Sequence, residues 1–168
     1  YRDRVLYGNT TLKHRLSLSL IGMNGFASGV STITIGGVTY SCTSYGGVYS
    51  TAPVGESIAT GTFVFYTAGT ISERIRGTAE SLIRVINRYS SNVQYYAFYV
   101  SGPTDTPGQI LLEERGIGGA AFSVTAHPSI NLNFEPKLPT SGTSVSSSSD
   151  RRKNRVYFSE PNQPEAVP

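Results

Sequence analysis

Cys42, His14, His127, Glu113, Glu114 and Asp105 carry side chains from which an active site could be built, and their spacing argues against one. A thiolate nucleophile needs a neighbouring cation or base. Cys42 lies in the strand-like run Val38, Thr39, Tyr40, Ser41, Cys42 with no histidine nearby, and reads as a small buried hydrophobe. The two histidines are far apart and lack a spaced acid or cysteine, whereas a metal site needs clustered ligands. Glu113 and Glu114 are adjacent, so on a strand they point to opposite faces and do not form an acid/base pair. Asp105 sits among turn residues, where Asp is ordinarily structural.

Other patterns are equally weak. Gly116, Ile117, Gly118 and Gly119 superficially match a dinucleotide-binding glycine run, but that motif requires a helix opening after it. A strand-like segment follows instead, so a hairpin turn is expected. No Gly-x-Ser-x-Gly elbow is present. Asn9, Thr10 and Thr11 fit a glycosylation acceptor, which matters only in a secreted eukaryotic protein. No catalytic, cofactor-binding or metal-binding residue is therefore expected, and no cofactor.

Arginines raise the question of nucleic acid. Arg74, Arg84 and Arg88 fall on one predicted helix together with Glu73 and Glu80, the pattern of a solvated face. Arg151, Arg152, Lys153 and Arg155 form the one basic cluster, which reads as a solvated linker. The aromatics lie on expected strands and do not interleave with the arginines, so nucleic acid is not an expected partner. Net charge is only +3, with a sequence pI of about 9.1.

The elements that must position these residues follow from periodicity. The 168 residues include 18 Gly, 11 Tyr and 7 Phe, no Trp and one cysteine, with 15% charged residues. That composition describes a β-rich chain with tight turns, stabilised by packing without an intrachain disulfide, whose tyrosines and phenylalanines supply the large buried side chains. No stretch approaches the ~18 apolar residues of a membrane-spanning helix, and no signal peptide is visible. Residues 15–20 alternate polar and leucine, as a half-buried strand does. Residues 32–41 place β-branched runs on both sides of Gly36 and Gly37, a β-hairpin. Residues 62–66 read as strand.

Thr70 and Glu73 then form a capping box. Ile71, Ile75, Ala79, Leu82, Ile83 and Ile86 recur at helical spacing, predicting one amphipathic helix over 71–89. Residues 93–100 form a strand with large side chains on both faces, as expected of a central or doubly covered strand. Two more strands are expected over 109–114 and 121–126. The fold class is α+β: a mostly antiparallel β-sheet with one long amphipathic helix packed on one face, plus an extended C-terminal arm. Four segments are expected: an N-terminal flanking segment 1–12, the α+β module 13–135, a Ser/Pro-rich linker 136–153, and a strand-like flanking segment 154–168. The chain opens on Tyr1 and starts a new apolar run, Val156, Tyr157 and Phe158, near its end, so it is expected to be a piece of something larger.

Residues 154–168, NRVYFSEPNQPEAVP, resemble a segment of tail-associated structural proteins of tailed bacteriophages. These are the nozzle or hub proteins, in which β-propeller blades form a ring below the portal. There a strand carrying Arg and aromatic residues enters a Ser-x-Pro-x-x-Pro-Glu turn, matched here by Arg155, Tyr157, Phe158, Ser159, Pro161, Pro164 and Glu165. Residues 1–9, YRDRVLYGN, look like the preceding blade segment. The middle, roughly 16–126, is similar to a module inserted in many phage virion proteins, marked by TITIGGVTY, TISERIRGTAESLIRVIN and YYAFYVSGPTDTPGQILLEER. The resemblance implies a non-enzymatic structural component of a virion, located in the phage tail or neck. Its partners would be homo-oligomeric ring subunits and other tail or portal proteins. The final strand would pair with a further part of its own chain or with a partner edge. The alternative is a receptor-binding module recognising a host-surface glycan or protein through Tyr95, Tyr96, Phe98 and Tyr99. Exposure of Tyr96 or Tyr99 beside a groove would favour it.

Overall fold

The computed structural model describes residues 6–7, 13–50, 52–116, 120–140, 145–146 and 157–158. The order of elements is β1 (Leu6–Tyr7), β2 (Arg15–Leu20), β3 (Thr32–Ile35), β4 (Val38–Tyr45), β5 (Thr62–Tyr66), α1 (Ile71–Arg88), β6 (Tyr95–Tyr99), β7 (Gln109–Glu114), β8 (Ser123–Ala126), β9 (Phe134–Glu135), β10 (Val145–Ser146) and β11 (Tyr157–Phe158). The α+β class holds, with mostly antiparallel strands and one long helix packed against them. Strands β1 and β11 form a two-stranded pair, and periodicity could not show that the remaining strands divide between two sheets. One sheet has the order β10-β8-β3-β4-β5, the other β6-β7-β2-β9. Within the first, β4 and β5 are parallel.

The β3–β4 hairpin forms where the Gly-Gly pair predicts it, with Ile35 opposite Val38. Gly36 and Gly37 have φ of 55° and 84°, a left-handed pair that residues with a Cβ rarely adopt. At the start of α1 the Thr70 hydroxyl accepts from the Glu73 backbone N–H, and the Glu73 carboxylate accepts from the Thr70 N–H at 2.8 Å. These bonds favour the charged carboxylate and hold the Glu73 pKa below its ordinary value. Ile75, Ala79, Leu82, Ile83 and Ile86 are buried as their spacing requires, whereas Ile71, one turn earlier, is exposed.

Helix α1 packs against β5 and β6, an edge strand of each sheet. Its buried surface is therefore not purely apolar. Ser81 Oγ accepts from the Val64 N–H at 2.8 Å, Thr78 Oγ1 accepts from the Tyr66 N–H at 3.1 Å, and Arg74 Nε donates to the Tyr66 carbonyl at 2.9 Å. The side chain of Asn87 does the same for β6, accepting from the Ala97 N–H at 2.8 Å and donating to its carbonyl at 2.7 Å. A strand edge exposes unpaired backbone groups, and the helix supplies them with side-chain partners.

The core lies between the sheets and the helix, with Tyr40, Tyr66, Tyr95 and Phe63 fully buried. Tyr95 Oη donates to the Ile35 carbonyl at 2.6 Å and bonds Tyr40 Oη at 3.1 Å, so each buried phenol has a partner. Burial pushes the Tyr40 pKa up to about 12 and raises that of Tyr95 as well.

Four sequence expectations need correction. The strand over 93–100 is neither central nor covered on both sides: β6 is an edge strand with one outward face. Strands β7 and β8 belong to different sheets, so the glycine run at 116–119, of which 117–119 lie outside the described residues, does not close a hairpin between them. The described part of the stretch read as linker over 136–153, residues 136–140 and 145–146, contributes to the body, because Leu138 is fully buried and β10 pairs with β8 through Val145 and Val124; the rest lies outside the described residues. The final strand is paired within the described chain and not with a missing part of it: β11 lies antiparallel to β1, Leu6 opposite Phe158 and Tyr7 opposite Tyr157.

Candidate binding face

The outward face of the four-stranded sheet is built by strand alternation. Tyr95 and Ala97 of β6 point into the core, so Tyr96 and Phe98 point out. Register then fixes their neighbours. Tyr96 lies opposite Glu113, which lies opposite Arg15; Phe98 lies opposite Leu111, which lies opposite Ser17. Gln109 and Ser19 face each other in the next row, with Glu135 beyond. The result is an aromatic column on the edge strand and a polar, charged field across the other strands.

Exposure is substantial along that column. Tyr96 is 39% exposed, Phe98 44% and Val100 46%. The Tyr96 and Phe98 ring centroids are 6.3 Å apart, and the Arg115 guanidinium carbon sits 4.3 Å from the Tyr96 centroid, a cation–π arrangement. Arg115 is itself held by its Nε bond to the Tyr95 carbonyl at 3.1 Å. Glu113 accepts from Arg15 Nε at 2.6 Å and from Lys13 Nζ at 3.3 Å. Desolvation would raise the Glu113 pKa, but the two cations outweigh it and the pKa lies below its ordinary value.

The strand carrying these aromatics is clamped along its outer edge. Besides the Asn87 pair to Ala97, Asn92 donates to the Tyr95 carbonyl at 2.9 Å and accepts from the Tyr95 N–H at 3.3 Å. The amides thus take the place of a neighbouring strand, and the aromatic face above it stays exposed.

The remaining sequence candidates fall elsewhere. Cys42 is buried, its thiol 3.4 Å from the Ala27 carbonyl, and burial pushes its pKa up to about 11, the setting of an inert thiol. His127 bonds the hydroxyl of Ser129 in a turn at 2.8 Å. Asp105 accepts from the Gly102 N–H at 2.8 Å, as a turn residue does. Glu113 and Glu114 point to opposite faces as expected, the first outward and the second buried. Of the helix arginines, Arg84 is not a free surface charge, since Nε and Nη2 both bond the Glu56 carboxylate. Tyr99 is half-buried and lines a cleft of about 430 Å³ with Ser72, Arg76 and Gly102. No group of three or more His, Cys, Asp or Glu side chains suited to a metal ion occurs among the described residues. Asn9 and the basic cluster at 151–155 lie outside the described residues.

Glu56, Asn87 and Asn92 were not singled out by sequence, and no local motif marks them. Comparison with known proteins yields no match to a family model, to a curated protein or to a solved structure.

Proposed function

We propose that this chain is a non-enzymatic structural component of a tailed-bacteriophage virion, an α+β module of the nozzle- or hub-like part of the tail that acts through contacts with ring subunits and neighbouring tail or portal proteins. The pairing of β1 with β11 carries this reading. The two flanks come together as adjacent antiparallel strands, and the body between them spans residues 13–146. A module inserted between consecutive strands of a larger sheet needs its ends in this arrangement, and consecutive strands of a propeller blade are antiparallel neighbours. The outer face of β6, β7 and β2, an exposed aromatic column beside the Glu113–Arg15 ion pair, is available for a subunit contact. Immunogold labelling of intact phage particles with an antibody raised against residues 13–135 tests the reading. Gold at the neck or tail is expected; absence of label from both intact and disrupted particles overturns it.

Exposure of Tyr96 and Phe98 favours a second reading, in which the same face recognises a host-surface glycan or protein. Aromatic rings bordered by Ser17, Ser19 and Gln109 offer stacking surface together with hydrogen-bonding groups. Binding of the full chain to host cells, lost on combined Tyr96→Ala and Phe98→Ala substitution, is the expected result. Unchanged binding of that variant removes the aromatic face from the interaction.

A further inference from the structure

A cavity of about 510 Å³ opens at one end of the body, between the Gly36 turn, the residues leading into β6, the end of β7 and the approach to β8. Glu114 lines it and is only 7% exposed. Among the described residues one hydrogen bond reaches its carboxylate, from the His14 N–H to Oε2 at 3.2 Å. Among the described residues no cation forms an ion pair with it: Lys13 and Arg15 are engaged by Glu113 on the opposite face, and Arg115 stacks on Tyr96. Among the described residues the imidazole of His14 does not bond it either, and His14 Nδ1 is buried without a hydrogen-bond partner. Buried carboxylates are ordinarily paired or multiply hydrogen-bonded, because a charge taken out of water without a partner is strongly disfavoured. Glu114 is an exception placed at a cavity wall.

We infer that this cavity is a binding site for an alkyl guanidinium or alkyl ammonium group, the chemistry of an arginine or lysine side chain. Glu114 supplies the counter-charge, the Gln94 side-chain amide a further polar contact, and Val93, Ala121 and Phe122 apolar wall for a methylene stem. Gly36 keeps the Gln94 side of the site open: a Cβ there would come within 3.0 Å of Gln94 Oε1 and 2.9 Å of the Tyr95 ring. The site lies apart from the aromatic face and stands independently of the virion reading.

Titration of the full chain with n-butylguanidinium, its neutral counterpart n-butylurea and n-butylamine tests the site by calorimetry or amide chemical shifts. The two cations are expected to bind at least about tenfold more tightly than the urea. Glu114→Gln, which keeps an acceptor for the His14 N–H, is expected to erase that difference. A second variant, Arg151→Gln with Arg152→Gln, Lys153→Gln and Arg155→Gln, separates the sources of the cation. If the probes bind only after those four charges are removed, the natural occupant is the chain's own basic run; if they bind both proteins equally, it is a side chain from another molecule. Equal affinity of the parent for the urea and the cations, a cation preference retained in Glu114→Gln, or no binding to either the full chain or the basic-run variant overturns the proposal. The contrast between urea and guanidinium needs no variant, so it stands even if Glu114→Gln fails to fold.

Discussion

The two sheets turn outward faces of different chemistry. On the five-stranded sheet, alternation brings Thr32, Thr34, Thr39, Ser41 and Thr125 to the outside, and the hydroxyls bond one another: Thr34 to Thr39 at 2.9 Å and Ser41 to Thr62 at 3.0 Å. On the four-stranded sheet the outward positions of the edge strand are Tyr96 and Phe98, with aromatic surface left in water. The first face satisfies itself across the strands. The second holds apolar area that only a partner can remove from water, at about 25 cal/mol per Å². Alternation alone produces both faces; what separates them is whether the outward residues can satisfy each other.

The largest way to break this contrast is to unseal the edge beneath the aromatics. Asn87→Ala removes the side chain that bonds both the N–H and the carbonyl of Ala97. Leaving those two backbone groups without partners is expected to destabilise the fold by about 2 kcal/mol, read from the denaturant midpoint. Thr34→Ala on the opposite sheet should shift it by no more than about 0.5 kcal/mol. Comparable losses from the two variants would mean that the clamp on β6 adds nothing beyond an ordinary surface contact.

Next comes a test of function. Combined Tyr96→Ser and Phe98→Ser substitution should change folding stability by less than about 1 kcal/mol, since both side chains are already well exposed. Attachment of the chain to its partner, whether tail subunit or cell surface, should weaken by tenfold or more, as loss of aromatic anchors does at interfaces. Combined Thr34→Ser and Thr39→Ser, which keeps both hydroxyls, should leave attachment unchanged. Weaker attachment from the threonine pair would move the binding face to the other sheet.

Much of this arrangement was legible in the sequence. The Gly36-Gly37 hairpin, the Thr70–Glu73 capping box and the buried stripe from Ile75 to Ile86 depend on short-range backbone geometry, and local residues suffice to specify them. Partition into two sheets was not legible, because β7 and β8 are each compatible with either sheet until long-range pairing is known. The same limit hid the roles of Thr78, Ser81 and Asn87. A buried hydroxyl or amide on a helix looks like an interruption of the apolar stripe unless the strand edge it serves is in view. The candidate face was half legible: Tyr95, Tyr96, Phe98 and Tyr99 stood out, but only sheet position shows that Tyr95 belongs to the core and Tyr96 to the surface. Glu114 was set aside with Glu113 because adjacent strand residues diverge, and that divergence is what carries it into the cavity wall.

A smaller effect concerns the hydroxyl pairs. A double-mutant cycle between Thr34→Val and Thr39→Val should give a coupling of about 0.5 kcal/mol, the size of a cross-strand pair on a sheet surface. Zero coupling would mean that water serves these hydroxyls as well as they serve each other.

The smallest effect is a pH dependence that one face has and the other lacks. Burial tends to raise the Glu113 pKa, yet Arg15 and Lys13 hold it below the ordinary carboxylate range. A carboxylate whose pKa is lower folded than unfolded favours the native state above its unfolded value, about 4.3 for Glu, and that contribution disappears as pH falls through the folded value. Glu73, also held low by its cap bonds, contributes in the same window, so the acid limb of the whole chain cannot be assigned to either residue. Subtraction separates them. Glu113→Gln should be slightly less stable than the parent near neutrality, and the two stability curves should converge once pH falls below the ordinary carboxylate range. The gap stays small because Arg15 is mostly exposed and ion pairs at such sites are weak. Thr34→Val, on a face whose paired outward positions Thr32, Thr34, Thr39 and Ser41 carry no carboxylate, should run parallel to the parent throughout. A gap that does not close in acid would mean that Glu113 acts through packing, and the two faces would then differ in aromatic exposure alone.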